Sequence, residues 1–167
     1  SPPPPIPASI GGTDPRTTTD AFLKALDEAK RGWQGTDTEE DRRVAEAKDG
    51  PKMAALARWY YQKVRWLDAE KWAREAIKAD AGLTDDLVPY VTWSLMSHGK
   101  LEDACKEIEG YLAARPDGKA AAQLTYQLGL AYVRLKDEEK GKSVFAEVQK
   151  KWPTSVWARK AAQAARR

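Results

Sequence analysis

Apolar residues along this chain return at the three-and-four spacing of a helix, with polar residues between them, and nowhere alternate one by one as in a strand. Phe22, Leu23, Leu26 and Ala29 form the first such group, behind a Thr19 or Asp20 cap, and Gly32 and Gly35 predict its end. Thr38, with Asp41 three residues on, opens a short polar helix that runs to about Lys48. Asp49-Gly50-Pro51 stops that helix and starts another, because proline is accepted in a first helical turn. Beyond it the pattern predicts paired helices at about 51–63 and 66–79, 84–97 and 101–114, then 119–135 and 138–151. A last helix, about 155–166, follows the Pro153-Thr154-Ser155 cap.

The helix pairs repeat one another. Ala69, Ala104 and Gly141 occupy one slot, and Ala57, Thr92 and Gly129 another. Leu56, Val91 and Leu128 keep the same offsets, as do Tyr60, Leu95 and Tyr132. So do Ala73, Ile108 and Phe145, then Ala76, Tyr111 and Val148, and finally Ala81, Pro116 and Pro153. A period of about 35 residues implies stacked supersecondary units, none able to bury its apolar face alone. The small slots let adjacent helices approach closely, Thr92 less well than Ala57 or Gly129. Gly141, read as a mid-helix residue, is expected to cost about 1 kcal/mol relative to alanine.

These slots resemble the tetratricopeptide repeat. The fullest match is Leu128-Gly129-Leu130-Ala131-Tyr132, continued by Phe145 and Pro153. Gly99-Lys100-Leu101-Glu102-Asp103-Ala104 matches the turn into a second helix, and Pro116-Asp117 the exit from it. The first unit keeps Leu56, Tyr60, Ala69, Ala76 and Asp80 but has Ala81 in place of the usual proline; in the third, Glu138 replaces a large apolar residue. The resemblance covers about residues 50–155 and implies an all-α fold, a right-handed α-solenoid of about three helix-turn-helix units. The expected organisation is a leader at 1–18, a helical extension at 19–49, and a repeat domain at 50–167. Within that domain the units fall at about 50–83, 85–118 and 122–155, and a capping helix at 155–166 solvates the end. Lys151-Trp152-Pro153-Thr154-Ser155-Val156-Trp157-Ala158 is similar to a turn common in bacterial cell-envelope members of the family. That likeness implies a periplasmic or envelope location, with the cytoplasm as the alternative.

In the family, the inward face of each unit's first helix lines a concave channel. Transferring those positions gives Arg58, Tyr61 and Gln62 from the first unit, and Pro89, Tyr90, Trp93, Met96 and Ser97 from the second. The third gives Tyr126, Gln127, Leu130 and Arg134. Members that grip a C-terminal carboxylate place Lys and Asn in slots held here by Arg58 and Trp93, or by Tyr126 and Leu130, so that clamp is expected to be missing. What remains is an aromatic and aliphatic channel with arginine at either end. The implied function is a non-enzymatic adaptor or assembly scaffold, binding a partly apolar peptide or helix of a partner protein on rigid aromatic anchors. The alternative is self-assembly, the groove taking a neighbouring copy or the chain's own N-terminal segment. A competing use for the aromatics is core packing: the chain has seven tryptophans, Trp66 falls in a large core slot, and Tyr90 can turn toward a neighbouring helix. The N-terminal helices, with Phe22, Leu23, Leu26 and Trp33, could also pack across the channel.

Charge and reactive residues change this picture little. Lys and Arg total 28 against 25 acids, and their spread suits solubility better than the clustered basic stripe of a nucleic-acid binder. The single cysteine, Cys105, can build neither an intramolecular disulfide nor a metal site and is expected to be a buried, inert thiol. His98, the only histidine, is expected to be an exposed turn residue. No phosphate-binding glycine loop is present, so neither an active site nor a cofactor is expected. No apolar run approaches the ~20 residues of a membrane span. Ser1-Pro2-Pro3-Pro4-Pro5-Ile6-Pro7 favours polyproline II, either as a semi-rigid spacer holding the domain near a membrane or as a ligand for a partner's aromatic groove.

Overall fold

A computed structural model describes residues 19–27 and 38–167. The leader at 1–18, the helix end expected at Gly32 and Gly35, and Trp33 lie outside the described residues. Among the described residues the protein is all-helical, with no strand. Residues 19–27 (α1) and Glu39–Glu46 (α2) belong to one compact unit, and Ala47–Arg167 forms a second.

The second unit holds α3 (Gly50–Gln62), α4 (Trp66–Ala79), α5 (Thr84–Ser97), α6 (Leu101–Ala114), α7 (Ala121–Arg134), α8 (Glu138–Lys151) and α9 (Val156–Ala165). Local chemistry sets these ends. The Asp49 carboxylate accepts from the Lys52 amide ahead of Pro51, and Ser155 Oγ accepts from the Ala158 amide, each meeting an otherwise unpaired N–H of a first turn. Three helices end in one and the same motif. After α3, α5 and α7, the amides of Arg65, Lys100 and Asp137 reach back to the carbonyls of Tyr60, Leu95 and Tyr132, and the residue before each turns left-handed. Those residues are Val64 (φ 61°), Gly99 (φ 84°) and Lys136 (φ 67°). Only the glycine accepts that conformation without cost; an L side chain there loses about 1–2 kcal/mol.

Consecutive helices pack against one another from α3 to α9. In addition α3 meets α5, α5 meets α7, and α7 meets α9, whereas the backbones of α4, α6 and α8 stay apart and only side chains such as Arg74 and Glu107 reach between them. Two layers result: an inner row of α3, α5, α7 and α9 in mutual contact, and an outer row spread apart. Ala57, Ala69, Ala73, Ala76, Ala104, Ala121 and Ala131 are fully buried where helices cross. A methyl at Gly129 would overlap the Phe145 ring, itself buried. Gly141 corrects the expectation made for it. It lies in the first turn of α8 beneath α7, where a Cβ would meet Val133 Cγ2 at 2.6 Å and the Gly129 carbonyl oxygen at 3.3 Å. Close approach outweighs the helix propensity that alanine would gain.

One polar junction ties the layers at the far end of α5. The Tyr111 hydroxyl donates to Asp85 Oδ1 (2.6 Å) and accepts from the Ala120 amide, while Arg115 Nη1 donates to the same carboxylate oxygen (2.9 Å). The hydrogen bond from Tyr111, then the Arg115 charge, hold the Asp85 carboxyl below its ordinary range despite the opposing effect of burial.

Gly129→Ala is expected to destabilise the fold by about 1–3 kcal/mol, because the buried Phe145 ring would have to shift within the packed core; urea unfolding checks this, and an unchanged midpoint would refute the packing argument. Asp85 stabilises the fold above the ordinary carboxylate range, and that contribution disappears as pH falls through its lowered value. Melting of Asp85→Asn should therefore lie below wild type at neutral pH, with the gap closing in acid.

Candidate functional site

Side chains from α3, α5, α7 and α9 meet over the inner row. Tyr61, Tyr90, Trp93, Tyr126, Gln127 and Trp157 line a cavity of about 300 Å³, with Pro89, Gln123 and Lys160 completing it. The rings hold each other in place. Tyr61 meets Tyr90 edge-on at 4.8 Å between centroids and meets Trp66 likewise at 5.2 Å, while Tyr126 lies 5.8 Å from Trp157. Cations flank the set: the Arg58 guanidinium sits 6.0 Å from the Tyr90 ring centre and the Lys160 ammonium 5.1 Å from that of Trp157.

One wall is fixed by buried hydrogen bonds. Thr92 Oγ1 lies 2.5 Å from Gln127 Oε1, the partner best placed for its single proton, and Gln127 Nε2 donates to the Pro89 carbonyl at 3.4 Å. The Thr92 slot, read from sequence as an imperfect small residue, is thus an interhelical hydrogen-bonding position. Burial, then the neighbouring Tyr90, raise the Tyr61 phenol above its ordinary value; burial raises that of Tyr126 against a smaller opposing effect of Arg167. Both hydroxyls remain protonated at neutral pH, able to donate to a ligand's carbonyl or carboxylate oxygens.

Of the twelve residues expected in the groove, Tyr61, Pro89, Tyr90, Trp93, Tyr126 and Gln127 line this cavity together. Arg58 stands beside it, and Leu130 shares an adjoining cavity of about 380 Å³ with Tyr126, Val133 and Gln163. Four fall elsewhere. Met96 is buried in the core because α5 is enclosed by α3, α4, α6 and α7. Arg134 donates to the Met96 carbonyl (2.9 Å), serving the C-terminal end of α5 in place of the channel mouth. Gln62 and Ser97, the last residues of α3 and α5, lie outside the cavity. Trp157, Lys160 and Gln123 escaped the sequence reading. The first two lie on the terminal helix, taken only as a solvating cap, although a tryptophan one residue before buried Ala158 was a signal that this helix carries more than solvent-facing groups.

The outer layer has the larger opening, about 850 Å³ between α4 and α6 above α5. Its floor of Val88, Val91 and Leu95 is nearly closed to solvent, and Arg74 spans it to Glu107 at 2.7 Å. His98 corrects its expected place: its side chain is only 20% exposed, and Nε2 lies 3.9 Å from Glu70 Oε1, without a hydrogen-bond partner for either ring nitrogen. Cys105 is buried as a free thiol, its pKa raised by burial and then by Glu109 and Glu102. No helix among the described residues is long and apolar enough to cross a membrane.

No protein-family model matches the chain, and no curated protein is significantly similar to it.

The two partners of the Thr92–Gln127 pair are not equivalent: without Gln127 the Thr92 hydroxyl still has the Val88 and Pro89 carbonyls at 3.1 and 3.2 Å, whereas without Thr92 the buried Gln127 Oε1 loses its donor. Thr92→Val should therefore cost about 1–3 kcal/mol by thermal or chemical unfolding, and the Thr92→Val, Gln127→Leu double variant should recover part of that loss.

Proposed function

We propose that the chain is a non-enzymatic protein–protein interaction module of the tetratricopeptide-repeat kind. Its second unit would be a right-handed α-solenoid of about three helix pairs, closed by α9. It acts as an adaptor or assembly scaffold and holds a partly apolar peptide or helix of another protein against the inner row. The observation that carries this reading is the convergence of Tyr61, Tyr90, Trp93, Tyr126 and Trp157 from four successive inner helices on one cavity. Aromatic side chains supply large contact area with few rotors to freeze, which is why they dominate peptide-binding hot spots.

Charge favours the same face. Helices α3, α7 and α9 contain no acidic residue, and the two acids of α5 lie in its first turn, where Asp85 pairs with Arg115 and Asp86 with Lys119. Arg58 and Lys160 thus flank the cavity with no acid among its lining residues. The leader and the Trp152-Pro153 turn fit a protein working in a bacterial envelope, and we place it there, the partner being a protein and not a nucleic acid.

Selection of a random dodecapeptide display library on the full chain tests the reading. Peptides should be enriched on wild type, and Trp93→Ala should weaken them by about 2 kcal/mol or more while the variant stays folded. Enrichment that survives the Trp93→Ala, Tyr126→Ala double variant would remove the cavity from the function. A concentration-dependent oligomer by light scattering, lost in that same variant, would instead assign the groove to a second copy of the chain.

A further inference from the structure

The three left-handed turns occupy one position in each successive helix pair, yet their residues differ in kind. Gly99 takes that backbone freely, with open space around it, and Lys136 extends a charge into water. Val64 is β-branched, the type least suited to positive φ. The residue is also 63% exposed, so no burial of its own compensates for the strain. Three residues on, the contrast recurs. Glu102 and Glu139 stand in the first turns of α6 and α8, where an acid is favoured by the helix dipole. The matching residue of α4 is Leu67, 67% exposed. Val64 and Leu67 are the two most exposed large apolar residues among those described. At both positions the α3–α4 tip carries the residue that folding alone disfavours.

The surroundings of this tip are those of an interfacial anchor. Lys63 and Arg65 flank Val64, and Lys71 follows on α4. Arg65 is paired with Asp68 at 2.8 Å and Glu70 with Arg74 at 3.5 Å; Glu75, one turn beyond Lys71, is the remaining acid, so Lys63, Arg65, Lys71 and Arg74 outnumber the acids of this stretch by one, with Lys63 and Lys71 nearest the tip. The Lys63 ammonium lies 5.5 Å from the Trp59 ring centre and that of Lys71 5.2 Å from Trp72, so aliphatic tip, basic collar and half-buried tryptophans succeed one another. Aliphatic groups enter hydrocarbon, whereas Trp and Lys settle at headgroup level and add electrostatic attraction to anionic lipid. A protein-binding tip would not require this basic surround.

We infer that the α3–α4 tip, centred on Val64 and Leu67 with Lys63 and Lys71, is a peripheral docking site for an anionic lipid surface. It lies outside the aromatic cavity, so it can hold the module at a membrane while the inner row engages a peptide.

Sedimentation of the full chain with phosphatidylcholine vesicles, with and without phosphatidylglycerol, tests this. Wild type should partition onto the phosphatidylglycerol vesicles and much less onto neutral ones. Val64→Gly should lower that partition about tenfold, as should Leu67→Glu, from the loss of one buried aliphatic side chain each. Val64→Gly should at the same time raise the melting temperature, since glycine relieves the left-handed turn. The Trp93→Ala, Tyr126→Ala variant should partition as wild type does, which separates this site from the peptide reading. Equal sedimentation with and without phosphatidylglycerol, none at all, or variants that bind as wild type would overturn the proposal. So would lipid-free self-association abolished by Leu67→Glu, which would assign the tip to a second copy.

Discussion

Close approach of helices, allowed by absent or minimal side chains at their crossings, is the constraint on which this architecture depends. Where α7 and α8 meet, Gly129 admits the Phe145 ring and Gly141 admits Val133, each filling the space that the other helix vacates. Alanines at 57, 69, 73, 76 and 104 do the same earlier in the chain. Helices that approach this closely have little freedom to slide, because interiors pack at crystal-like density and a single methyl is felt. The consequence reaches the inner row. With each pair locked, α3, α5, α7 and α9 come near enough for side chains from all four to share one cavity, while the outer helices spread.

The cavity's rigidity has a second source, which is polar. Gln127 and Thr92 hold α7 to α5 directly beneath the aromatic rings, and Gln127 also reaches the carbonyl of Pro89, a residue whose own missing N–H already interrupts the helical bonding of α5. A buried pair of this sort is costly to separate. It therefore opposes sliding of α5 past α7 more specifically than apolar contact alone would. Arg134 adds a third restraint by closing the C-terminal end of α5. Side chains that seemed available for a ligand at the level of sequence are thus spent on holding the wall in shape.

Much of the helical order was legible because each boundary carries its own chemistry. Asp49-Gly50-Pro51, the turn at Gly99, and Ser155 mark ends that need no tertiary information, and α4, α5, α6 and α8 begin and end where periodicity placed them. The aromatic lining of the cavity was legible for a related reason: Tyr61, Tyr90, Trp93 and Tyr126 all fall at positions transferred from the inward face of a repeat's first helix. Register does not reveal how many neighbours a helix has. Helix α5 is enclosed on four sides, so Met96 is covered although it keeps the inward phase. Nor does it reveal competing hydrogen bonds, which claimed Arg134 and turned Gln127 into wall. Trp157 and Lys160 enter because α9 packs on α7 as well as on α8, a contact that no repeat position on its own helix encodes.

Repetition also supplies a standard against which one unit can be judged. Equivalent turns face equivalent local energetics, so Gly99, Glu102 and Glu139 indicate what folding prefers at positions where the first unit has Val64 and Leu67. An exposed leucine alone means little, because more than half of any protein surface is apolar. An exposed valine in a left-handed turn is different, since the backbone strain is not offset by burial of its side chain. Two adjacent departures from the local optimum, both toward exposed aliphatic groups and both within a basic surround, are hard to attribute to folding. They fit a surface that gains its compensation only when something apolar and negatively charged covers it.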